Sequence, residues 1–232
     1  MYHEIVNPSI SKFSVDPTCF IEQVKCLKRA GVTSYILGND IKTTKSCLLT
    51  FDDGHGSNLD AARLLAEEGY VGYFYLVKDY SELRDDYLKE NEIKEISSLG
   101  HIIGVHGKNH QGWVRKDDDT LIKELRETKD WIEQLIGEPI ITCSAPGGLI
   151  DNRVINCIKR ELPELKYIRT SRYGINHEGD TVLNSIGIRY DYSVNKVRRL
   201  ALNNPIEMGK LWYFGPGSLD RKSGSAGMPR PI

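Results

Sequence analysis

The residues of this chain best suited to chemistry stand at the ends of apolar runs. "LLTFDDG" (48–54) finishes in two adjacent carboxylates, Asp52 and Asp53, followed by glycine. "HIIGVHGKNH" (101–110) ends with His106 and His110, four residues apart, and "IITCSAPGG" (140–148) ends in Pro146-Gly147-Gly148. Neighbouring carboxylates repel each other and gain nothing from a strand end, so the pair needs a reason to stand there. One carboxylate with two imidazoles forms a ligand set for a divalent ion of the zinc, iron or cobalt kind, with positions left for water. The second aspartate, turned differently, can then accept a proton from water that the ion has activated.

Structural roles compete for the same residues. Two aspartates can simply cap the next helix, and an HxxxH spacing on a helix places two histidines on one face without binding anything. Here an apolar run precedes the motif and Gly112 follows it, which favours a loop. His101, at the start of its run, should lie at the opposite end from the site and is read as structural. His55 shapes the turn beside the carboxylates; His177 falls in a polar loop and His3 near the terminus. Asp117-Asp118-Asp119 matches the acidic first turn of a helix rather than a metal site.

The elements that must position these groups alternate. Asp16 and Pro17 open a helix with Phe20, Val24 and Leu27 on one face, ended by Gly31. "TSYILG" and "SCLLTF" follow as short strands. A helix is expected over 58–68, with Ser57 and Asp60 as a capping-box-like pair. "VGYFYLV" is a strand, "ENEIKEISSLG" a helix and "HIIGV" a strand. A long amphipathic helix covers 118–136, and "IITCSA", "DNRVINCIKREL" and "KYIRTS" read as strand, helix and strand. "VLNSIGIR" and a helix around 193–203 complete the pattern. Strand–helix alternation implies parallel pairing, with the carboxyl ends of the strands on the functional face.

A chain of 232 residues suits one domain. Its net charge of -1 gives no general attraction to nucleic acid or anionic membrane, although "RTSRYG" and "YDYSVNKVRRL" mix basic and aromatic residues. No apolar run approaches a membrane span, so no transmembrane segment is expected. "MYHEIVNPSISKF" shows no secretory leader, so the reading is cytoplasmic, although removal of a leader would leave the same sequence. Cys19, Cys26, Cys47, Cys143 and Cys157 lack CxxC spacing and read as reduced structural thiols. The single domain is placed at 1–204. Residues 205–232, with Pro205, Pro216, Pro229 and Pro231, read as a loose tail, with partly non-native sequence as an open alternative.

"LLTFDDG", "GHIIGVHGKNH" and "GEPIITCSAPGG", in this order, resemble the first three motifs of the polysaccharide deacetylases, the NodB-like carbohydrate esterases. "YHEI…FSVDPTCFIEQVKCLKRAGV" resembles the lead-in of many members, and the similarity covers most of 2–200. The resemblance implies an α/β fold, a distorted (β/α) barrel with fewer than eight strands. It also implies a metal-dependent hydrolase that removes an N-acetyl group from an amino-sugar unit of a glycan or glycan precursor, an N-acetylated saccharide being its partner. Asp53, His106 and His110 resemble the metal triad, holding one divalent ion, zinc first and cobalt, nickel or iron next. Asp52 resembles the catalytic base. Pro146 and Gly147 match the turn whose main chain meets the oxyanion. Trp113, just after the HxxxH, is a candidate to stack on a sugar ring, with core packing as an equal alternative, and Arg172 and Tyr173 in a later loop are candidates to line the site.

Three departures stand out. Ser144 occupies the position where the family carries an arginine that holds the base, and Gly107 the position of a serine or threonine. No histidine follows His177, so the late motif that supplies the general acid is missing, and Asp191 is a weak stand-in for its aspartate. Two alternatives stay open: an amidohydrolase for another acyl group or a non-sugar amide, and a catalytically impaired metal- and glycan-binding protein.

Overall fold

A computed structural model describes residues 1–39 and 45–202. Helix α1 spans Pro17–Arg29, capped by the Asp16 carboxylate, which accepts from the N–H groups of Thr18 and Cys19. Short strands β1 (Thr33–Ser34) and β2 (Ser46–Cys47) pair in parallel as a separate ribbon. The main sheet comprises β3 (Leu49–Phe51), β4 (Gly72–Leu76), β5 (Ile102–Val105), β6 (Thr142–Ser144), β7 (Tyr167–Arg169) and β8 (Val182–Leu183). All six strands are parallel and stand in sequence order, forming a curled half-barrel. Helices α2 (Asn58–Glu67), α3 (Lys78–Leu83), α4 (Glu90–Ser98), α5 (Asp118–Ile136), α6 (Asn152–Glu161) and α7 (Val194–Ala201) supply the connections and the outer layer.

Covering both faces of a parallel sheet produces strands buried throughout, and all five residues of β4 are buried. Alternation sends Phe74 and Leu76 to the helix side and Tyr73 and Tyr75 to the concave side, where Leu37 and Leu183 meet them. Gly104 is required by this packing. A Cβ at that position would lie 2.6 Å from the Tyr75 ring. The half-barrel is not closed by β3 and β8 directly. Met1 and Tyr2 span the gap: Tyr2 N–H donates to Thr50 O (2.7 Å), Asp52 N–H to Tyr2 O (3.0 Å) and Ile188 N–H to Met1 O (2.8 Å).

The expected barrel type is observed, with differences at its elements. "TSYILG" and "VLNSIGIR" contribute only two strand residues each, and α3 was not anticipated. Ser57 does not cap α2: its Oγ accepts from Ile5 N–H (2.9 Å) and lies 2.9 Å from His55 Nδ1, tying the amino-terminal segment to the turn after β3. Asp117 does cap α5, accepting from Thr120 N–H at 2.8 Å. No helix among the described residues is long and apolar enough to cross a membrane. The expected tail, 205–232, and the last residue of the expected final helix lie outside the described residues.

His101 performs the structural role its position suggested. Its Nδ1 accepts from Gly72 N–H (3.1 Å), and its Nε2 faces Ala62 O (2.8 Å), which fixes the neutral Nε2–H tautomer. Burial lowers its pKa below the ordinary value, and the Ala62 carbonyl only partly offsets this. The unfolded chain therefore binds a proton at higher pH than the folded chain does. Stability should be fully present above about pH 6.5 and decline as pH falls through that value, by up to ~1.4 kcal/mol per unit from this group. Denaturant titrations between pH 5 and 8 should show a shallower decline in His101→Gln; parallel curves would refute the assignment.

Candidate metal centre

Four strand ends meet at one rim. β3 runs into Asp52 and Asp53, β5 into His106, β6 into Pro146, and β7 ends in Arg169. Register explains the convergence: Phe51 pairs with Phe74, Leu76 with Val105, Val105 with Cys143 and Ser144 with Arg169. Asp53, His106 and His110 each offer one ligand atom, and these atoms lie within 4.8 Å of one another. Asp53 Oδ1 is 3.2 Å from His106 Nε2 and 3.1 Å from His110 Nε2. That oxygen is buried and has no hydrogen-bond partner of good geometry. His106 Nδ1 donates to Ser144 O at 2.8 Å, which turns Nε2 toward the cluster, the arrangement usual for a ligating histidine. An orphaned carboxylate oxygen facing two imidazole nitrogens fits a divalent cation.

The backbone is strained at two of these three residues. Among the described residues, the non-glycines with positive φ are Asp53 (71°) and His110 (59°). Such conformations cost of the order of 1–3 kcal/mol and concentrate at functional sites. The loop carrying His110 is anchored from outside the cluster: Lys78 N–H donates to Gly107 O (3.3 Å) and Asp79 N–H to Lys108 O (2.8 Å). Gly107 has a φ of +87°, and a Cβ there would stand 3.1 Å from Trp113 Nε1. A serine or threonine is thus disfavoured at this position by conformation and space together.

Asp52 is placed differently from its neighbour. It is buried, its Oδ2 is 3.8 Å from His106 Nε2, and both carboxylate oxygens accept from the Arg169 guanidinium. Burial opposes ionisation of Asp52, but Arg169 and the nearby histidines outweigh it and hold the carboxyl below its usual range. Asp53 is likewise pushed down: burial works against the charge, and the facing imidazoles of His106 and His110 overcome it. Burial disfavours a charged His106, yet the carboxylates of Asp52 and Asp53 raise its pKa above the ordinary value.

Sequence reasoning missed two residues here. Arg169 shares its guanidinium between Asp52 and Ser144 Oγ, so the carboxylate has a cationic partner from the strand beside β6. His3 follows Tyr2, which bridges in parallel to Phe51, so the imidazole stands beside the strand end that carries Asp52. Its Nδ1 is buried without a partner, and its ring stacks on Phe13 at 4.7 Å. Burial lowers its pKa, while Asp52 and Asp53 act in the opposite direction, which marks it as part of the same electrostatic cluster. The available signal was the "YH" pair itself; the pairing of residue 2 with β3 is what gives it meaning.

Trp113 requires correction. It is 1% exposed and packs in the main core, so no face of its ring is offered to a sugar. The aromatic surface beside the cluster comes from elsewhere. Tyr80 stacks on His110 (5.8 Å, 28°), Tyr87 lies 4.7 Å from Tyr80, and Arg84 sits 4.0 Å over the Tyr80 ring. Pro146 is buried and Gly147 exposed, with open space where a side chain at 147 would project. Arg172 donates to Ile150 O (3.2 Å), and Tyr173 packs against the main core. Asp191 forms an ion pair with Arg189 at 3.2 Å.

Residues 39–161, just over half of the chain, match the family described as "Polysaccharide deacetylase", and the chain belongs to that family. A curated relative, the peptidoglycan-N-acetylglucosamine deacetylase of Bacillus cereus, is 27% identical over 134 residues, which cover 57% of this chain. The match spans 60% of that relative's length. Among solved structures, the Streptococcus pyogenes deacetylase PplD in complex with acetate superposes with a TM-score of 0.76 at 21% identity, covering 84% of this chain and 93% of that one. A polysaccharide deacetylase from Bacillus cereus gives a TM-score of 0.75 at 24% identity, covering 87% and 67%. These two likenesses establish the fold.

Calorimetric titration of metal-free protein with Zn²⁺ should show one ion per chain. Asp53→Asn and His110→Asn, both tolerant of positive φ, should each weaken binding by at least ~10-fold, whereas Asp52→Asn should retain it. Unchanged binding by Asp53→Asn would rule out this ligand set.

Proposed function

We propose that this chain is a metal-dependent hydrolase that removes an N-acetyl group from an amino-sugar unit of a glycan or glycan precursor. The observation that carries the reading is the separation of two adjacent aspartates into different tasks: Asp53 faces His106 and His110, while Asp52 is held apart by Arg169. Family membership and the activity named for the Bacillus cereus relative support it.

Asp53, His106 Nε2 and His110 would hold the divalent ion, for which the donor set suits zinc first and cobalt, nickel or iron next. When bound, such an ion lowers the pKa of water toward ~7 and polarises an acyl carbonyl. Asp52, ionised and fixed, takes the proton of the attacking water as its oxygen bonds to the acyl carbon. The Gly147 N–H, at an exposed turn braced by Pro146, donates to the oxygen on which negative charge develops. The proton taken by Asp52 passes to the sugar nitrogen as the C–N bond breaks, leaving an amine and acetate. Tyr80 and Tyr87 offer the half-buried aromatic wall on which a sugar ring can rest.

The test is acetate release by metal-loaded protein from a panel of N-acetylated mono- and oligosaccharides, with N-formyl and N-propionyl analogues alongside. Asp52→Asn should lower kcat about 10²–10⁴-fold with the metal retained. Full-rate release by Asp52→Asn, or no release from any N-acetyl sugar, would contradict the proposal.

A further inference from the structure

Arg169 is one of the largest fully buried side chains of the protein, yet it carries a charge. Its contacts are directional. One terminal nitrogen donates to both oxygens of Asp52 and to Ser144 Oγ; the other donates to Ser185 Oγ at 3.3 Å. The guanidinium lies 5.2 Å from the centre of the Tyr75 ring, whose hydroxyl is 3.0 Å from Thr142 Oγ1. Backbone pairing sets the reach: Ser144 and Arg169 are register partners across β6 and β7, and Ala145 N–H donates to Arg169 O at 3.2 Å. A small residue at 144 leaves the space through which the Arg169 side chain crosses to β3. Ser144 contributes twice, since its carbonyl also orients His106.

We propose that Arg169 is the positioning residue for Asp52, and that Ser144 and Arg169 form a complementary small–large pair across two strands. The guanidinium, on the inner side of the rim, clamps the carboxylate in one orientation while His106 flanks its other side. Arg169 itself does not touch substrate. Lysine cannot reproduce this, because a single ammonium lacks the planar fork that reaches Asp52, Ser144 and Ser185 together. The catalytic part of this inference rests on the deacetylase reading; the charge pairing does not.

The experiment combines two measurements on Arg169→Lys, Arg169→Ser and the exchanged pair Arg169→Ser/Ser144→Arg, each made with and without Asp52→Asn. In steady-state deacetylation, Arg169→Ser should lower kcat about 10²-fold or more with KM nearly unchanged. Arg169→Lys should fall in between, and the exchanged pair should recover a large part of the loss, which a purely structural contact would not allow. In thermal melts, Arg169→Ser should reduce Tm by several degrees when Asp52 is present and far less in the Asp52→Asn background. Equal Tm losses in the two backgrounds, or a kcat within twofold of wild type for both Arg169→Lys and Arg169→Ser, would overturn the inference. Wild-type protein that releases no acetate would sink the deacetylase reading alone, and the melts would still decide whether Arg169 answers the charge of Asp52.

Discussion

The site depends on one buried ion pair. A carboxylate removed from water is costly, and at this rim Asp52 lies next to a second carboxylate that raises the cost further. Without Arg169 the cheapest response would be to protonate Asp52 or to turn it outward. Removing one member of such a pair leaves an uncompensated buried charge, at about 3–5 kcal/mol. The pair is therefore a constraint more than a source of net stability. It fixes where Asp52 can be and leaves Asp53 free to face the histidines.

Everything else at the rim follows from holding strand ends in register. Parallel strands in sequence order put the last residues of β3, β5, β6 and β7 on one edge. Strain at Asp53 and His110 is sustained by fixed surroundings: the main-chain bonds of Gly107 and Lys108 to α3, and the salt bridges from Lys78 and Lys108 to Glu127 on α5. Closure of the half-barrel by the amino-terminal segment does two jobs. It satisfies the outer edge of β3, and it carries His3 to the side of the cluster.

What the sequence revealed depended on locality. The carboxylate pair, the HxxxH loop and the Pro-Gly-Gly turn are each contiguous and each end an apolar run, so they could be singled out as candidates without knowing the neighbours. Arg169 could not be found that way. It sits inside "KYIRTS" as an ordinary strand residue, and its meaning comes from a register partner 25 residues earlier and a carboxylate 117 residues away. His3 was overlooked because proximity to a terminus looked like irrelevance, whereas the pairing of Tyr2 with Phe51 makes the segment part of the rim. Trp113 misled in the opposite direction: an aromatic residue three positions after His110 looked available, but the chain turns it into the core. Ser57 showed the same competition, satisfying Ile5 and His55 in place of its own helix.

The central claim is that two adjacent aspartates are divided between a cation and a base. Anomalous diffraction from crystals of the zinc-loaded protein tests it most directly. One ion should lie on Asp53, His106 and His110, with Asp52 outside the ligand set and still paired with Arg169. An ion ligated by Asp52, or by both carboxylates together, would contradict it.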